Sequence, residues 1–136
     1  MTLLCMPDAD DTATLPAAAG STFSAGIDMN PSGAPFGLRG MCLWAGAPAL
    51  TTTQLPNGQT MVYDLQVATD AAFTTPVTQA AAVIAQTGAG GVGSAGATGK
   101  AEIAPQSSYR FARLKATGSA SIGDCSALLA TLHARE

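Results

Sequence analysis

The clearest pattern in the chain lies within 61–75, where residues 61–68 repeat with a period of two. A period of two places the apolar residues on one side of an extended strand and the intervening residues on the other. The pattern therefore predicts a strand with one face in a core, and the outward Gln66 is expected to tolerate substitution. The inward residues of this strand are Met61, Tyr63, Leu65 and Val67.

A tight corner is predicted directly after this strand. The Asp70 carboxylate can bond the backbone two residues further on, and Pro76 closes the corner before the next β-rich segment. We expect Phe73 to fold back and plug the end of the sheet.

Shorter apolar runs bounded by glycine and proline predict further strands. In the run at 109–116, Ala112, Leu114 and Ala116 are expected to point inward. The turn signal at 56–58 predicts a hairpin-like relation between the strands that flank it. The run at 125–133 also suits a helix face, and a strand is the preferred interpretation. The predicted strands are 21–29, 40–45, 61–69, 77–85, 101–104, 109–116 and 125–133.

Two segments carry little apolar material. Residues 1–20 are interpreted as an N-terminal arm or a first edge strand, and residues 21–136 as a single β-sandwich domain. Residues 86–99 contain six glycines in fourteen positions and predict a flexible loop. We expect both segments to be mobile in the free protein and to become ordered against a partner.

Composition narrows the class of protein. The 136 residues suit one domain, and abundant Ala, Gly, Thr and Ser favour strands joined by turns over long helices. Only 11% of residues are charged and the net charge is -3, so a nucleic-acid partner is disfavoured. No apolar run approaches the roughly 20 residues of a membrane helix, and the N-terminus does not have the pattern of a signal peptide. Three cysteines without metal-binding spacing indicate free thiols in a protein made in a cytoplasm.

Nucleotide binding is the sharpest chemical hypothesis that the chain offers. Gly88, Gly90 and Gly93 spell GxGxxG after an apolar run, as in a dinucleotide-binding turn. The following residues, 94–100, contain two more glycines and do not predict the required helix. The acidic residue expected about twenty positions later is also missing, so we exclude a nucleotide cofactor.

The remaining candidates for chemistry are equally sparse. His133 lies three residues from the C-terminus and is expected to be frayed and solvated. Asp8, Asp10 and Asp11 lack the glycine and the glutamate of a calcium loop and are interpreted as a solvated acidic arm. The only tryptophan, Trp44, is expected to fill the core or plug the end of a sheet, and a platform on which a ligand stacks is the alternative. We therefore identify no catalytic, cofactor-binding or metal-ligating residue, and we expect no cofactor and no enzymatic activity.

The order of short motifs resembles the capsid cement, or decoration, proteins of tailed phages of the Bordetella short-tailed type. An Ile-Asp element at 26–29 is followed by an apolar strand at 41–45. A Thr-Asp-x-x-Phe-x-x-Pro corner then occupies 69–76, and an Arg-aromatic-x-Arg-Leu strand begins at 110 and is followed by Thr117 and Gly118. The resemblance covers about residues 21–132. The glycine loop at 86–99 and the proline-rich stretch at 31–35 have no counterpart in it.

This resemblance implies an all-β, antiparallel jelly-roll β-sandwich. It implies a structural virion protein on the outer capsid surface that bridges major capsid protein subunits and associates with itself. The small size and low charge of the domain favour a homodimer, and a trimer is the alternative. Two other classes stay open, a carbohydrate-binding β-sandwich module and a small enzyme. A sugar platform needs exposed aromatic side chains, and the few aromatics of this chain are best used in the core.

Overall fold

The computed structural model describes residues 9–29, 41–103 and 109–135, and every regular element within these residues is a β-strand. The strands are β1 (Ala9–Thr14), β2 (Gly20–Phe23), β3 (Ile27–Asp28), β4 (Met41–Ala47), β5 (Thr60–Ala68), β6 (Val77–Thr87), β7 (Ala97–Ile103), β8 (Phe111–Gly118) and β9 (Leu129–Arg135).

The strands form two antiparallel sheets. One sheet has the order β1-β9-β4-β7, and the other has the order β2-β8-β5-β6, with β3 pairing with β8. Because the chain passes repeatedly from one sheet to the other, the two sheets interlock as a jelly roll. The predicted fold class, an antiparallel jelly-roll β-sandwich, is confirmed.

The core lies between the inner faces of the two sheets. The inward residues of β5 that the alternation predicts are all fully buried. In both β8 and β9 a buried leucine lies between two buried alanines, so large and small side chains alternate along the strand and the two sheets can interdigitate without voids. The buried residues of these two strands are Ala112, Leu114, Ala116, Ala130, Leu132 and Ala134.

The predicted hairpin around 56–58 is wrong. The strand before this turn, β4, and the strand after it, β5, belong to different sheets. The connection crosses the end of the sandwich, where Leu50 and Leu55 are buried. A turn signal fixes a reversal of the chain but not the sheet in which the chain continues.

Several strands begin or end at residues other than those predicted from the sequence. The strand predicted at 21–29 is split into β2 and β3 at Gly26, where φ is +109°. The strand predicted at 101–104 begins earlier, at Ala97, inside the predicted loop. Residues 9–14 form an edge strand paired with β9, so the part of the acidic arm that the structure describes is anchored in a sheet. The domain boundary between residues 20 and 21 stays a prediction.

The glycine-rich segment 86–99 is packed against the rest of the protein. A Cβ at Gly88 would lie 2.5 Å from the carbonyl oxygen of Leu55, and a Cβ at Gly93 would lie 2.7 Å from the carbonyl carbon of Thr51. The amide and carbonyl groups of Ser94 and Leu50 also bond each other. Gly88 and Gly93 therefore permit close backbone approach, which gives the first and the last glycine of the GxGxxG spacing a structural use without a nucleotide.

A bulge interrupts the edge strand β6. The register with β5 shifts on both sides of Leu65, and Ala82 adopts a φ of +52°. The Asp64 carboxylate accepts a hydrogen bond from the Ala82 amide at 2.7 Å, which fixes the bulge. A bulge bends an edge strand and makes it a poor template for pairing with another chain.

Candidate binding faces

A cross-strand row of polar and aromatic residues runs over the outer face of the sheet β1-β9-β4-β7. Asp10 is opposite His133, His133 is opposite Trp44, and Trp44 is opposite Lys100. Paired residues on neighbouring strands project to the same side of a sheet, so the four side chains share one face. We call this surface the Trp44 face.

The Asp10 carboxylate is held in place by two basic side chains on β9. It accepts hydrogen bonds from His133 Nδ1 at 2.6 Å and from Arg135 Nη1 at 3.1 Å. The hydrogen bond with His133, followed by that with Arg135, holds the pKa of Asp10 below its ordinary value. The expectation that His133 is frayed is therefore wrong, because its strand is paired on both sides. Asp11 is also structural, since its Oδ2 accepts a hydrogen bond from the Gly26 amide at 2.7 Å.

Trp44 projects from the Trp44 face towards solvent. Its neighbours Leu43 and Ala45 are buried, whereas its own side chain is 41% exposed. Lys100 Nζ lies 5.2 Å from the centroid of the indole ring, within the range of a cation–π contact. The prediction that Trp44 fills the core is therefore wrong: the strand alternates as expected, but the tryptophan occupies the outward position.

A groove lies beside Trp44. A depression of about 390 Å³ is lined by residues that include Trp44, Gly46, Thr131 and His133. A second depression of about 490 Å³ shares Gly46 and Thr131 with the first and extends to Leu129. A Cβ at Gly46 would lie 2.5 Å from Thr131 Oγ1, so the absence of a side chain at Gly46 leaves room for the groove. We call the two depressions together the Trp44 groove.

The outer face of the other sheet carries an arginine between two aromatic rings. The guanidinium carbon of Arg113 lies 4.0 Å from the ring centroid of Phe23 and 4.5 Å from that of Phe73. Arg113 Nε donates a hydrogen bond to Gln66 Oε1 at 2.8 Å, and burial lowers the pKa of Arg113. Phe23 is 45% exposed, and Lys115 Nζ lies 6.0 Å from its ring. We call this surface the Arg113 face.

Gln66 is more buried than its predicted outward position suggested. Its side chain lies on the outer face of the sheet, as predicted, but only 7% of the residue is exposed. Because Gln66 is the acceptor for Arg113, its loss would leave a partly buried guanidinium group without this bond. The expected tolerance at Gln66 therefore does not fit the structure.

The corner at 69–76 positions one of the two rings of the Arg113 face. The Asp70 carboxylate accepts a hydrogen bond from Thr74 Oγ1 at 2.6 Å, and this bond is the main cause of a lowered pKa of Asp70. Phe73 adopts a φ of +51° and is buried. Its ring covers Arg113 on the outer face of the sheet, whereas the sequence predicted a plug at the sheet end.

A salt bridge fixes β3 beside β8. Arg110 donates from Nε to Asp28 Oδ1 at 2.8 Å and from Nη2 to Asp28 Oδ2 at 2.7 Å. This two-point pairing raises the pKa of Arg110. The Ile-Asp element of the sequence therefore has a structural use, in which a fixed arginine fork meets a carboxylate.

The other candidates for chemistry are dispersed. Cys42 and Cys125 are free thiols, and Cys125 is buried. In the described ranges no three His, Cys, Asp or Glu residues come together as a possible metal site. The described part of the chain also contains no helix long and apolar enough to cross a bilayer. Cys5 and Asp8 lie outside the described residues.

The fold defines the class of this protein as a jelly-roll β-sandwich with two structured outer faces. No family model matches the chain, and no curated protein matches it. The chain is similar to one from an electron cryo-microscopy structure of the empty virus-like particle of Cowpea Mosaic Virus, with 11% identity and a TM-score of 0.44. The match covers 94% of this chain and 78% of that chain. A likeness of this degree carries no information about function.

Proposed function

We propose that this chain is a non-enzymatic structural protein of a phage virion. In this proposal it decorates the outside of an icosahedral capsid and stabilises the shell by bridging subunits of the major capsid protein. The observation that carries the proposal is the Arg113 face, because its composition is that of a protein-binding surface. The jelly-roll fold and the ordered turn at 69–76 agree with what the resemblance to capsid cement proteins implies.

The Arg113 face has the features of an interface hot spot. Aromatic and arginine side chains contribute most of the binding energy in protein interfaces, and a fixed conformation lowers the entropy lost on binding. Arg113 is held by Phe23, Phe73 and Gln66 before any partner arrives. Phe23 is half exposed and can enter a pocket of a partner.

Charge favours an acidic partner for the same surface. Three of the six lysines and arginines in the chain, Arg110, Arg113 and Lys115, lie in β8 or directly before it. Asp28 neutralises Arg110 and Asp64 is the cross-strand partner of Lys115, which leaves Arg113 beside Phe23 as the positive group without a carboxylate opposite it. We propose that this surface faces an acidic region of the capsid protein, where complementary charge accelerates association.

Replacing Phe23 with alanine is expected to weaken capsid binding at least about tenfold, because it removes the exposed ring of the Arg113 face. Co-sedimentation of the purified protein with capsids that lack it would measure the affinity. Leu129→Ala is the matched control, because Leu129 is 52% exposed on the opposite sheet, and we expect it to bind within about twofold of the original chain.

The capsid experiment also tests the cementing role itself. We expect bound protein to raise the temperature at which the capsid releases its contents. A chain that stays in the supernatant and leaves this temperature unchanged would contradict the proposal. Equal losses from Phe23→Ala and Leu129→Ala would show that the Arg113 face is not the docking surface.

We further propose that the protein acts as a homodimer, or as a trimer, above a symmetry axis of the shell. Linking copies makes the second attachment effectively intramolecular and can strengthen binding by roughly 10² to 10⁴. The bulge at Ala82 protects the edge strand β6, so we expect the contact at another sheet edge, β1, β2 or β7. Light scattering should give a mass of two or three chains at micromolar concentration. A mass of one chain would contradict this part of the proposal.

A further inference from the structure

We propose that the Trp44 groove binds a neutral oligosaccharide. This binding site lies on the opposite sheet from the Arg113 face, so it does not depend on the decorating role. Three features carry the inference: an exposed indole, a surrounding set of hydrogen-bonding groups of both kinds, and a groove longer than one sugar ring.

The indole of Trp44 provides the platform. Aromatic faces carry a negative electrostatic potential, and the C–H groups on one side of a pyranose ring are slightly positive. A sugar ring can therefore lie flat on an exposed indole and bury apolar area in doing so. Trp44 is 41% exposed and projects from a paired β-strand, so the platform is rigid and ready for a ligand.

The groups around the indole suit hydroxyls. His133 and Arg135 line the groove, and their hydrogen bonds to Asp10, one strand beyond His133, keep both side chains in one orientation. Lys100 supplies a donor 5.2 Å from the centroid of the indole ring, and Thr98 and Thr131 supply hydroxyls in the groove. A sugar hydroxyl both donates and accepts, so a mixed set of partners can satisfy it.

The size of the groove favours a chain of sugars over a single one. The first depression, of about 390 Å³, already falls within the range of roughly 300–1,000 Å³ for ligand sites. The second, of about 490 Å³, continues past Gly46 towards Leu129. Successive rings can therefore occupy both depressions while the ring over Trp44 anchors the chain.

A second copy of the protein is the competing occupant of this surface. The cores of protein interfaces are depleted in lysine and aspartate, yet Lys100 is the cross-strand neighbour of Trp44 and Asp10 lies on the same face, one strand beyond His133. Desolvating these charges against a flat protein surface would be costly, whereas sugar hydroxyls can replace water around them. The composition therefore favours the oligosaccharide.

The chain has one tryptophan and one histidine, and both line the groove. Signals from these two side chains therefore report on the groove directly. The purified protein is titrated with oligosaccharides of glucose, galactose, mannose and N-acetylglucosamine. For at least one of them we expect Trp44 fluorescence and the NMR signals of the His133 ring to change with the same half-saturation point. If none of these sugars moves either signal, the inference is wrong.

Calorimetric titration of variants with the same sugar separates stacking from other effects. Trp44→Ala is expected to weaken binding at least about tenfold, and Trp44→Phe to recover part of the loss because it restores a ring. Phe23→Ala is the matched control, an exposed aromatic on the opposite sheet, and should bind within about twofold. Equal losses from Trp44→Ala and Phe23→Ala would overturn the inference. So would Trp44 fluorescence that responds to protein concentration and not to sugar, because a second copy would then occupy the groove.

Discussion

Leu114→Asp is expected to leave the protein unfolded at room temperature. Leu114 is fully buried between the two sheets, where it packs with Leu65 and Leu132 in one core. Removing a buried leucine side chain alone costs about 2–5 kcal/mol, and burying an unpaired carboxylate adds a larger penalty. The sum is comparable with the roughly 5–15 kcal/mol that stabilises a whole domain. Circular dichroism and urea titration would measure the loss.

The matched control for this prediction is Leu129→Asp. It makes the same chemical change in β9, but Leu129 is 52% exposed and the new carboxylate stays in water. We expect a change in the free energy of unfolding of no more than about 1 kcal/mol. A folded Leu114→Asp variant with the same urea midpoint as Leu129→Asp would contradict the described core.

Gln86→Leu is expected to cost about 3 kcal/mol or more, because it breaks a buried polar network that joins the two sheets. Gln86 Oε1 accepts a hydrogen bond from the Tyr63 hydroxyl at 2.8 Å. Its Nε2 donates to the carbonyl oxygens of Pro48 at 2.8 Å and Ala95 at 2.9 Å. Pro48 follows β4 and Ala95 precedes β7, so a side chain of one sheet holds the backbone of the other.

The expected size of this effect follows from the groups that lose their partner. Leucine at 86 would leave the Tyr63 hydroxyl and the Pro48 carbonyl without a hydrogen-bond partner, at roughly 1–3 kcal/mol each. The exposed Ala95 carbonyl would keep its bond from Ser94 Oγ at 3.4 Å and lose less. Burial raises the pKa of Tyr63, so the hydroxyl stays protonated and remains a donor. Tyr63→Phe removes only the bond to Gln86 Oε1 and should cost about 1–3 kcal/mol.

Urea titration of the two single variants and the double variant would give the coupling between Tyr63 and Gln86. We expect the double variant to lose less than the sum of the single losses, because the tyrosine hydroxyl is then absent. Gln79→Leu is the matched control in the same strand, since Gln79 is exposed, and it should change stability by about 0.5 kcal/mol or less. A Gln86→Leu variant as stable as Gln79→Leu would show that the network contributes nothing.

Local patterns in the sequence predicted most of the strands and the direction of most of their side chains. The period of two in β5 and β8 predicted which residues are buried, and the structure confirms each of them. Such predictions succeed because alternation is a local property of an extended backbone, and a one-residue shift would expose the entire apolar set. Asp70 and Pro76 likewise predicted the corner at 69–76, since the preferences of aspartate and proline act over a few residues.

Which strands are neighbours and which side chains meet depends on how the whole chain packs. β4 and β5 are close in sequence but belong to different sheets, whereas β1 and β9 pair although they lie near opposite ends of the chain. Asp10 and His133 are 123 positions apart in sequence but their side chains are hydrogen-bonded. Trp44 lies in the same cross-strand row because β9 lies between β1 and β4. No local pattern carries this information: strand order depends on how two whole sheets bury their apolar faces against each other. The same packing left Trp44 in solvent, because its neighbours Leu43 and Ala45 already fill the inward positions.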